Sequence, residues 1–186
     1  MEATSKSVEK GEYVSSQVIL ERDITFTDLP KAITDRYPGM RPFLDETKKI
    51  HVYQYEQGEI YILWDKPRAN EQDAKTSADL HFIDVIDNKY AGYIKVKYAV
   101  TASQEDKKLP YVGYTFTSGL EGAGLATRRL LAAGKFCENN LGEPLSSGKG
   151  YDDMTVRRIW EKLVEGGVAE LVNPGDSHEF RFKKSV

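Results

Sequence analysis

One stretch of the chain, residues 111–131, constrains the fold and the function most strongly. It begins with a run typical of a β-strand, YVGYTFTS, and ends with a run typical of a helix, with glycines at 119, 122 and 124 between them. A glycine-rich turn of this kind brings free backbone N–H groups and the positive end of the helix dipole together, which suits an anion. The sequence therefore predicts either a phosphate-binding loop or a tight turn that needs glycine and binds nothing.

Two common nucleotide-binding motifs do not fit this loop. Gly119 and Gly124 have the spacing of the Walker glycines, but Leu125 and Ala126 follow where lysine and serine or threonine are required. Thr127 stands where a dinucleotide-binding loop needs its third glycine. The loop is therefore typical of neither a P-loop NTPase nor a NAD-binding domain.

The composition favours one globular domain without a strongly charged surface. The chain has 186 residues, of which 40% are hydrophobic, and a formal net charge of −3. This is enough for one ordinary core, and it gives no overall attraction to DNA or to an anionic membrane. We expect the polar residues 1–15 to form a flexible arm and residues 16–186 to form a single domain. No run approaches the roughly 20 apolar residues of a membrane span, so no membrane association is predicted.

The cysteine, histidine and tyrosine content points away from several kinds of site. Cys137 is the only cysteine, which excludes an internal disulfide and favours a reducing compartment such as the cytoplasm. It lies on the apolar stripe of a predicted helix, where a buried structural role is expected. His51, His81 and His178 show no paired spacing, so no metal site is predicted. The 11 tyrosines are explained by packing between strands, which leaves nucleic acid an unfavoured partner.

Hydrophobic periodicity predicts the order of elements along the chain. Before the glycine loop we expect a strand at 17–22, short helices from Thr27 and within 42–49, a hairpin around Gly58, a polar loop at 66–78, strands at 80–87 and 90–100, and a charged loop at 101–109. After the loop we expect a helix with an apolar stripe at Ala126, Leu130, Ala133 and Cys137, and with Arg128 and Arg129 mostly off that stripe. A second helix ending at Gly166-Gly167 and a final antiparallel pair of strands complete the prediction.

This order of elements, with the loop in this position, resembles the GNAT superfamily of N-acetyltransferases over roughly residues 17–185. Two local matches carry the resemblance. Gly122-Ala123-Gly124 matches the glycine pair of the family's pyrophosphate loop, although Gly119 stands where the family has Arg or Gln. The run from Asp153 to Leu163 is similar to a family helix, with Trp160 in the slot where many members carry a tyrosine proposed as the general acid.

The resemblance implies an α+β domain whose central sheet is mixed, mostly antiparallel and flanked by helices. It implies that acetyl-CoA or a related acyl-CoA binds where the strand ends and the helix begins, and that the strand before the loop splays from its neighbour. The implied function is transfer of an acetyl group to an unknown amine. The residues that would contact the acyl-CoA are Phe116, Thr117, Leu120, Glu121, Gly122, Ala123, Gly124, Leu125 and Ala126.

The catalytic groups are less well indicated. Asp84 interrupts the apolar run LHFIDVID, and a buried carboxylate there would have a raised pKa, which makes it a candidate base. Glu59 and Asp79 also lie on or near central strands and are further candidates for the base, and the alternative for all three is a solvated or edge carboxylate. Because an indole N–H cannot act as an acid, Tyr151 is a candidate replacement for the family's tyrosine, against a role in packing or capping.

Gly119 and Trp160 also favour a second interpretation of the chain. Both depart from the family pattern at functional positions. The protein would then be a catalytically silent GNAT-like fold that binds a protein partner or serves a structural role. Divergent GNAT-like proteins of bacteriophages are an example of such a silent fold. For a protein of that kind, the expected location is the virion.

Overall fold

The computed structural model of the chain describes residues 16–36, 38–39, 41–70, 75–101, 109–117, 123–148, 154–173 and 179–184. These residues form an α+β fold. The strands are β1 (Leu20–Ile24), β2 (Ile50–Gln54), β3 (Glu59–Trp64), β4 (Arg68–Asn70), β5 (Lys75–Ile86), β6 (Lys89–Thr101), β7 (Tyr111–Thr117), β8 (Ala169–Asn173) and β9 (Glu179–Phe182). The helices are α1 (Lys31–Thr34), α2 (Leu125–Phe136) and α3 (Met154–Glu165), with a π-helical turn, Cys137–Leu141, continuing α2.

Six strands pair antiparallel in the order β1-β2-β3-β5-β6-β7, and β4 pairs with the first part of β5. The turn between β5 and β6 places both Asp87 and Asn88 at positive φ, 48° and 59°, the backbone of a type I′ hairpin. Alternation along β6 buries Ile94 and Val96 and leaves Lys95 half-buried. The predicted hairpins are therefore confirmed.

Several predicted boundaries are wrong. β1 begins at Leu20 rather than at residue 17. The short helix expected from Thr27 begins later, at Lys31 after its N-cap Pro30, and Phe26–Asp28 forms a separate 3₁₀ turn. In place of the helix expected within 42–49, the structure has a short 3₁₀ helix at Arg41–Phe43. The polar segment 66–78 holds β4 and the start of β5, because strands at the end of a sheet tolerate polar side chains.

The sheet separates two hydrophobic cores. The larger lies under α2 and α3 and includes Phe82, Ile94, Phe136 and Trp160. The smaller lies on the opposite face under α1 and includes Ile33, Leu63 and Ile83. We refer to these as the α2 face and the α1 face of the sheet. Since α2 is covered by the sheet on one side and by the Phe182 ring against Gly134 on another, nearly its whole circumference is buried.

The C-terminal strands join the large sheet through one short segment. Ser146 forms a parallel bridge to Tyr111 at the start of β7 and an antiparallel bridge to Arg181 in β9. The N–H of Val112 donates to the Ser146 carbonyl over 3.0 Å, and the N–H of Phe182 donates to the Leu145 carbonyl over 2.9 Å. β8 and β9 pair antiparallel, as predicted.

Candidate functional site at the divergence of β7

β7 is paired on both sides only where it begins. Val112 lies opposite Val96, and the next register pair joins Lys95 to Tyr114, so Gly113 is the extra residue of a β-bulge. Bulges bend a strand and end its pairing on one side. Beyond Gly113, β7 keeps its partner β6 but has no strand on its other side among the described residues. Within the described part of the chain, its last residues therefore have one unpaired backbone edge, with Tyr114 49% and Phe116 37% exposed.

α2 is connected to the end of this edge through Arg129, which hydrogen-bonds Thr117. Its N-cap is Gly124, in the left-handed conformation at φ 82°, and no side chain of the described residues caps the first turn. Ala123 and Leu125 are buried, and Ala126 is half-buried. The first N–H groups of a helix have no intrahelical acceptors, so they are available to an anion or to water. Of the predicted acyl-CoA contacts, Leu120, Glu121 and Gly122 lie outside the described residues.

A buried ionic cluster lies between α2 and the sheet. Asp84 of β5, Arg128 and Arg129 are all fully buried. Arg128 forms an ion pair with one oxygen of Asp84, and the Arg129 guanidinium lies 3.5 Å from the other. Arg128 also donates to the Gln57 carbonyl over 2.7 Å and packs over the Tyr55 ring at 4.8 Å. The expectation that both arginines would lie off the buried stripe is wrong, because α2 is covered on several sides.

The cluster has two cations and one anion. Burial raises the pKa of the Asp84 carboxyl, and the two guanidiniums oppose that rise. Burial likewise lowers the pKa of Arg129, and Asp84 opposes that change. Because a guanidinium stays protonated in proteins, the ionised cluster carries one excess positive charge. Nε of Arg128 and Nε of Arg129 have no hydrogen-bond partner within the part of the chain described.

Arg129 connects this cluster to β7. Its guanidinium donates a hydrogen bond to the hydroxyl of Thr117, the last residue of the strand. Gly92 of β6, at φ 145°, lies opposite Thr117 in register. A Cβ at Gly92 would overlap the Phe116 carbonyl oxygen and the Arg129 guanidinium. The end of β7, the first part of β6 and the first turns of α2 are therefore packed as one unit.

Asp84 is buried, which was one of the two outcomes considered for it. Both of its oxygens face guanidiniums and the residue is 0% exposed, whereas a base must reach the proton that it removes. Its role as a base stays a prediction. Glu59 and Asp79 are only partly exposed and form ion pairs with Arg22 and Lys95. The candidate acid Tyr151 lies outside the described residues.

Trp160 is sealed inside the larger core. It is 0% exposed, stacks on Phe180 with ring centroids 6.0 Å apart and meets the Phe182 ring edge-on at 5.3 Å. Its indole N–H has no acceptor within the described segments. Trp160 therefore packs the core and does not reach a solvent-accessible site.

Sequence reasoning missed a histidine–aspartate pair on the α1 face. Nε2 of His81 lies 3.1 Å from Oδ1 of Asp65, and both side chains are buried. The two residues come together because β3 and β5 pair with Leu63 opposite His81, and Asp65 continues beyond the end of β3. A single sequence does not specify that register. Only the polar residues at the ends of otherwise apolar runs could have drawn attention to them.

Comparison with known proteins finds no matching family, no matching curated protein and no matching solved structure. Among the helices of the described segments, none has the length and apolar character needed to cross a membrane.

Proposed function

We propose that this protein is a GNAT-like protein that binds an acyl-CoA at the divergence of β7 and transfers its acetyl group to an amine. The observation that carries the proposal is the edge of β7, which no other described strand pairs beyond Gly113 and which Arg129 ties to the first turns of α2. An extended chain can lie along such an edge, and a phosphate can lie at such a helix start. The two features occur together at the position where the sequence resemblance places the cofactor.

The residues present fit the polyanionic part of an acyl-CoA. Backbone N–H groups of Gly124, Leu125 and Ala126 are in the first turn of α2, where a pyrophosphate is favoured by the helix dipole. The excess positive charge of Asp84, Arg128 and Arg129 lies beneath the same helix and adds to this potential. The cofactor would supply an acyl group activated as a thioester.

The topology around β7 gives further support. The strand before the loop leaves its parallel neighbour, Ser146, after Val112, in agreement with the splay that the resemblance implies. Backbone N–H groups on the free part of β7 are available to stabilise an oxyanion near residues 114–116. The Arg129–Thr117 hydrogen bond holds the end of β7 against α2.

A second candidate function, a catalytically silent GNAT-like binding or structural protein, is favoured by Trp160. Because Trp160 is enclosed by Phe180 and Phe182, the position that would hold the acid contributes only to packing. In this case the unpaired end of β7 and the start of α2 either bind the cofactor without turnover or contact a protein partner.

The thermal stability of the protein with and without acetyl-CoA tests the proposal. Ligand at about 100 times its dissociation constant should stabilise the fold by roughly 2.7 kcal/mol. Absence of a shift at millimolar acetyl-CoA would overturn acyl-CoA binding. A shift without acetylation of any member of a panel of primary amines would leave the silent candidate as the better one.

A substitution at the start of α2 locates the site. Ala126→Glu places a negative charge in the first helical turn, where it favours the helix but repels a pyrophosphate. We expect the free protein to fold normally and the acetyl-CoA shift to be lost. Asn139→Glu, an exposed position in the π-helical turn at the other end of α2, is the matched control and should keep the shift. An unchanged shift in Ala126→Glu would show that the cofactor binds elsewhere.

A further inference from the structure

Part of the α1 face lies open to solvent where β6 and β7 pair. The side chains of three register pairs, which alternate with the buried Ile94 and Val96 of β6, point to this side of the sheet. They are Tyr93 with Phe116, Lys95 with Tyr114, and Lys97 with Tyr111. Tyr93 packs against the smaller core, which identifies this side as the α1 face. Tyr114 is 49% and Phe116 37% exposed, so the described residues leave this end of the sheet uncovered. We call these six side chains the open face.

Aromatic rings form one component of this surface. The Tyr114 ring lies 5.5 Å from the Tyr93 ring, and Tyr93 also lines a pocket of about 190 Å³ together with Phe43, which is 50% exposed. Packing between strands explains the buried tyrosines of the chain, such as Tyr53, but it does not explain rings that face solvent. Large apolar side chains that are exposed together on one face of a protein mark a surface for interaction.

Positive charge forms the other component. Arg68 lies 3.3 Å from Asp65, and Lys95 lies 3.3 Å from Asp79. In each pair the cation is the more exposed partner, with side-chain exposures of 57% for Arg68 against 5% for Asp65 and 31% for Lys95 against 19% for Asp79. Lys97 is exposed and forms no ion pair with any residue of the described segments. Three cations therefore accompany two carboxylates, and the charges nearest to solvent are positive.

Rings and cations meet at the pocket. Arg68 packs over the Phe43 ring at 4.7 Å, and both residues line the pocket with Tyr93 and Lys95. Pockets for drug-sized ligands have volumes of about 300–1,000 Å³, so this smaller one suits a single planar group that belongs to a larger ligand. Because aromatic and cationic side chains line the same pocket, a planar ring and an anion attached to it can both find partners there.

These two components together select the chemistry of the ligand. A free anion such as phosphate would use the cations but not the exposed rings, and an apolar protein surface would use the rings but not the cations. A single-stranded nucleic acid uses both, since its bases stack on aromatic side chains and its phosphates pair with lysine and arginine. In a duplex the base faces are stacked on one another and are not available to the rings.

We propose that the open face, extended by Phe43 and Arg68, binds single-stranded nucleic acid. One base stacks in the pocket beside Phe43 and Tyr93, a second stacks on the Tyr114 ring, and Arg68 and Lys97 contact phosphates. The net charge of −3 adds no general attraction, so binding depends on these residues and involves about two to three phosphates. The inference does not depend on acyl transfer, because the open face consists of side chains, whereas the proposed cofactor site uses the backbone of β7 and the start of α2.

Fluorescence anisotropy of labelled oligothymidylate and oligouridylate, each about ten nucleotides long, tests this binding. We expect saturable binding at low ionic strength. The logarithm of the association constant should fall with the logarithm of the salt concentration with a slope of about −1.4 to −2.1, which is about −0.7 for each phosphate contacted. Absence of saturable binding for both probes, or equal affinity for a duplex of the same length, would overturn the proposal. Equal affinity for an oligoglutamate peptide would instead assign the open face to an acidic protein segment and would also overturn it.

Two pairs of matched variants locate the site. Tyr114→Ala should weaken binding of the oligonucleotides about 5- to 150-fold, which is the contribution of one base stacked on an aromatic ring. Leu171→Ala, at another exposed apolar side chain but in β8, should bind as the wild type does. Lys97→Gln should make the salt slope shallower by about 0.7, and Lys162→Gln, at an exposed lysine of α3, should leave the slope unchanged. Melting temperatures show whether each variant is folded. Unchanged affinity in folded Tyr114→Ala, or an unchanged slope in Lys97→Gln, would overturn the assignment.

Discussion

Arg129 of α2 donates a hydrogen bond to Thr117, so the helix that follows the glycine loop is fastened to the last residue of the strand that precedes it. The same guanidinium faces Asp84, which ties both elements to the centre of the sheet. The geometry of the candidate cofactor site is thus set by buried polar contacts beneath it.

Replacing the carboxylate of this cluster should strongly destabilise the fold. Asp84→Asn leaves two buried guanidiniums without a counter-charge, and breaking a buried ion pair costs about 3–5 kcal/mol. Urea unfolding monitored by circular dichroism gives the free energy of unfolding. Asp79→Asn, which affects a partly exposed pair with Lys95, should cost about 1 kcal/mol or less. Equal losses in the two variants would show that the arginines find other partners.

Removing the Thr117 hydroxyl should loosen the connection between β7 and α2. Thr117→Val keeps the shape but leaves the Arg129 donor unsatisfied, at a cost of about 1–3 kcal/mol. Amide hydrogen exchange should accelerate in the second turn of α2, where Arg128 makes the first intrahelical hydrogen bond, to the Gly124 carbonyl. Thr115→Val is the matched control, because Thr115 has no side-chain hydrogen bond to any residue in the described segments, and it should change stability by about 0.5 kcal/mol at most. Unaltered exchange in Thr117→Val would contradict a fastening role.

Gly92 should not tolerate a side chain. Its φ of 145° is strained for an L-residue, and a Cβ would overlap the Phe116 carbonyl oxygen and the Arg129 guanidinium. We expect Gly92→Ala to lower the free energy of unfolding by about 2 kcal/mol or more. Gly39→Ala, where a Cβ meets nothing within 4 Å, should be close to neutral. The melting temperature of each variant tests this expectation. An unchanged melting temperature in Gly92→Ala would mean that β6 and β7 can separate at this point.

Stability should fall in alkali through Tyr98. Burial, together with the charges of Asp45, Asp65 and Asp79, raises the pKa of Tyr98 to about 12. Because the folded state holds the phenol proton more tightly than the unfolded state, whose pKa is about 10, this contribution is complete below about pH 10 and is lost as the pH rises towards about 12. Urea unfolding at a series of pH values should show a steeper alkaline decline for the wild type than for Tyr98→Phe. Parallel declines would exclude this tyrosine as a source.

Local sequence signals predicted much of the fold but not its buried charges. Gly58 and Asn88 identified the hairpins because positive φ has a clear residue preference, although the second turn was expected at Asn88-Lys89 and lies one residue earlier, at Asp87-Asn88. The burial of Arg128 and Arg129 depends on Asp84 and on coverage of α2 from several sides, and neither is encoded within the helix. The Asp65–His81 pair depends on strand register, which a single sequence does not specify. Tyr151 and the centre of the glycine loop lie outside the described residues, so those predictions stay open.

The parallel bridge at Ser146 has a consequence for the order of folding. All pairs from β1 to β7 join strands by antiparallel contacts, most of them between neighbours along the chain, which close short loops and form early. Tyr111 meets Ser146 only after the whole of α2 has been placed between them, since parallel strands require a crossover. We expect pulsed hydrogen exchange during refolding to protect β5 and β6 before β8 and β9. β7 is then the strand on which a C-terminal unit that docks late meets a sheet that has formed early.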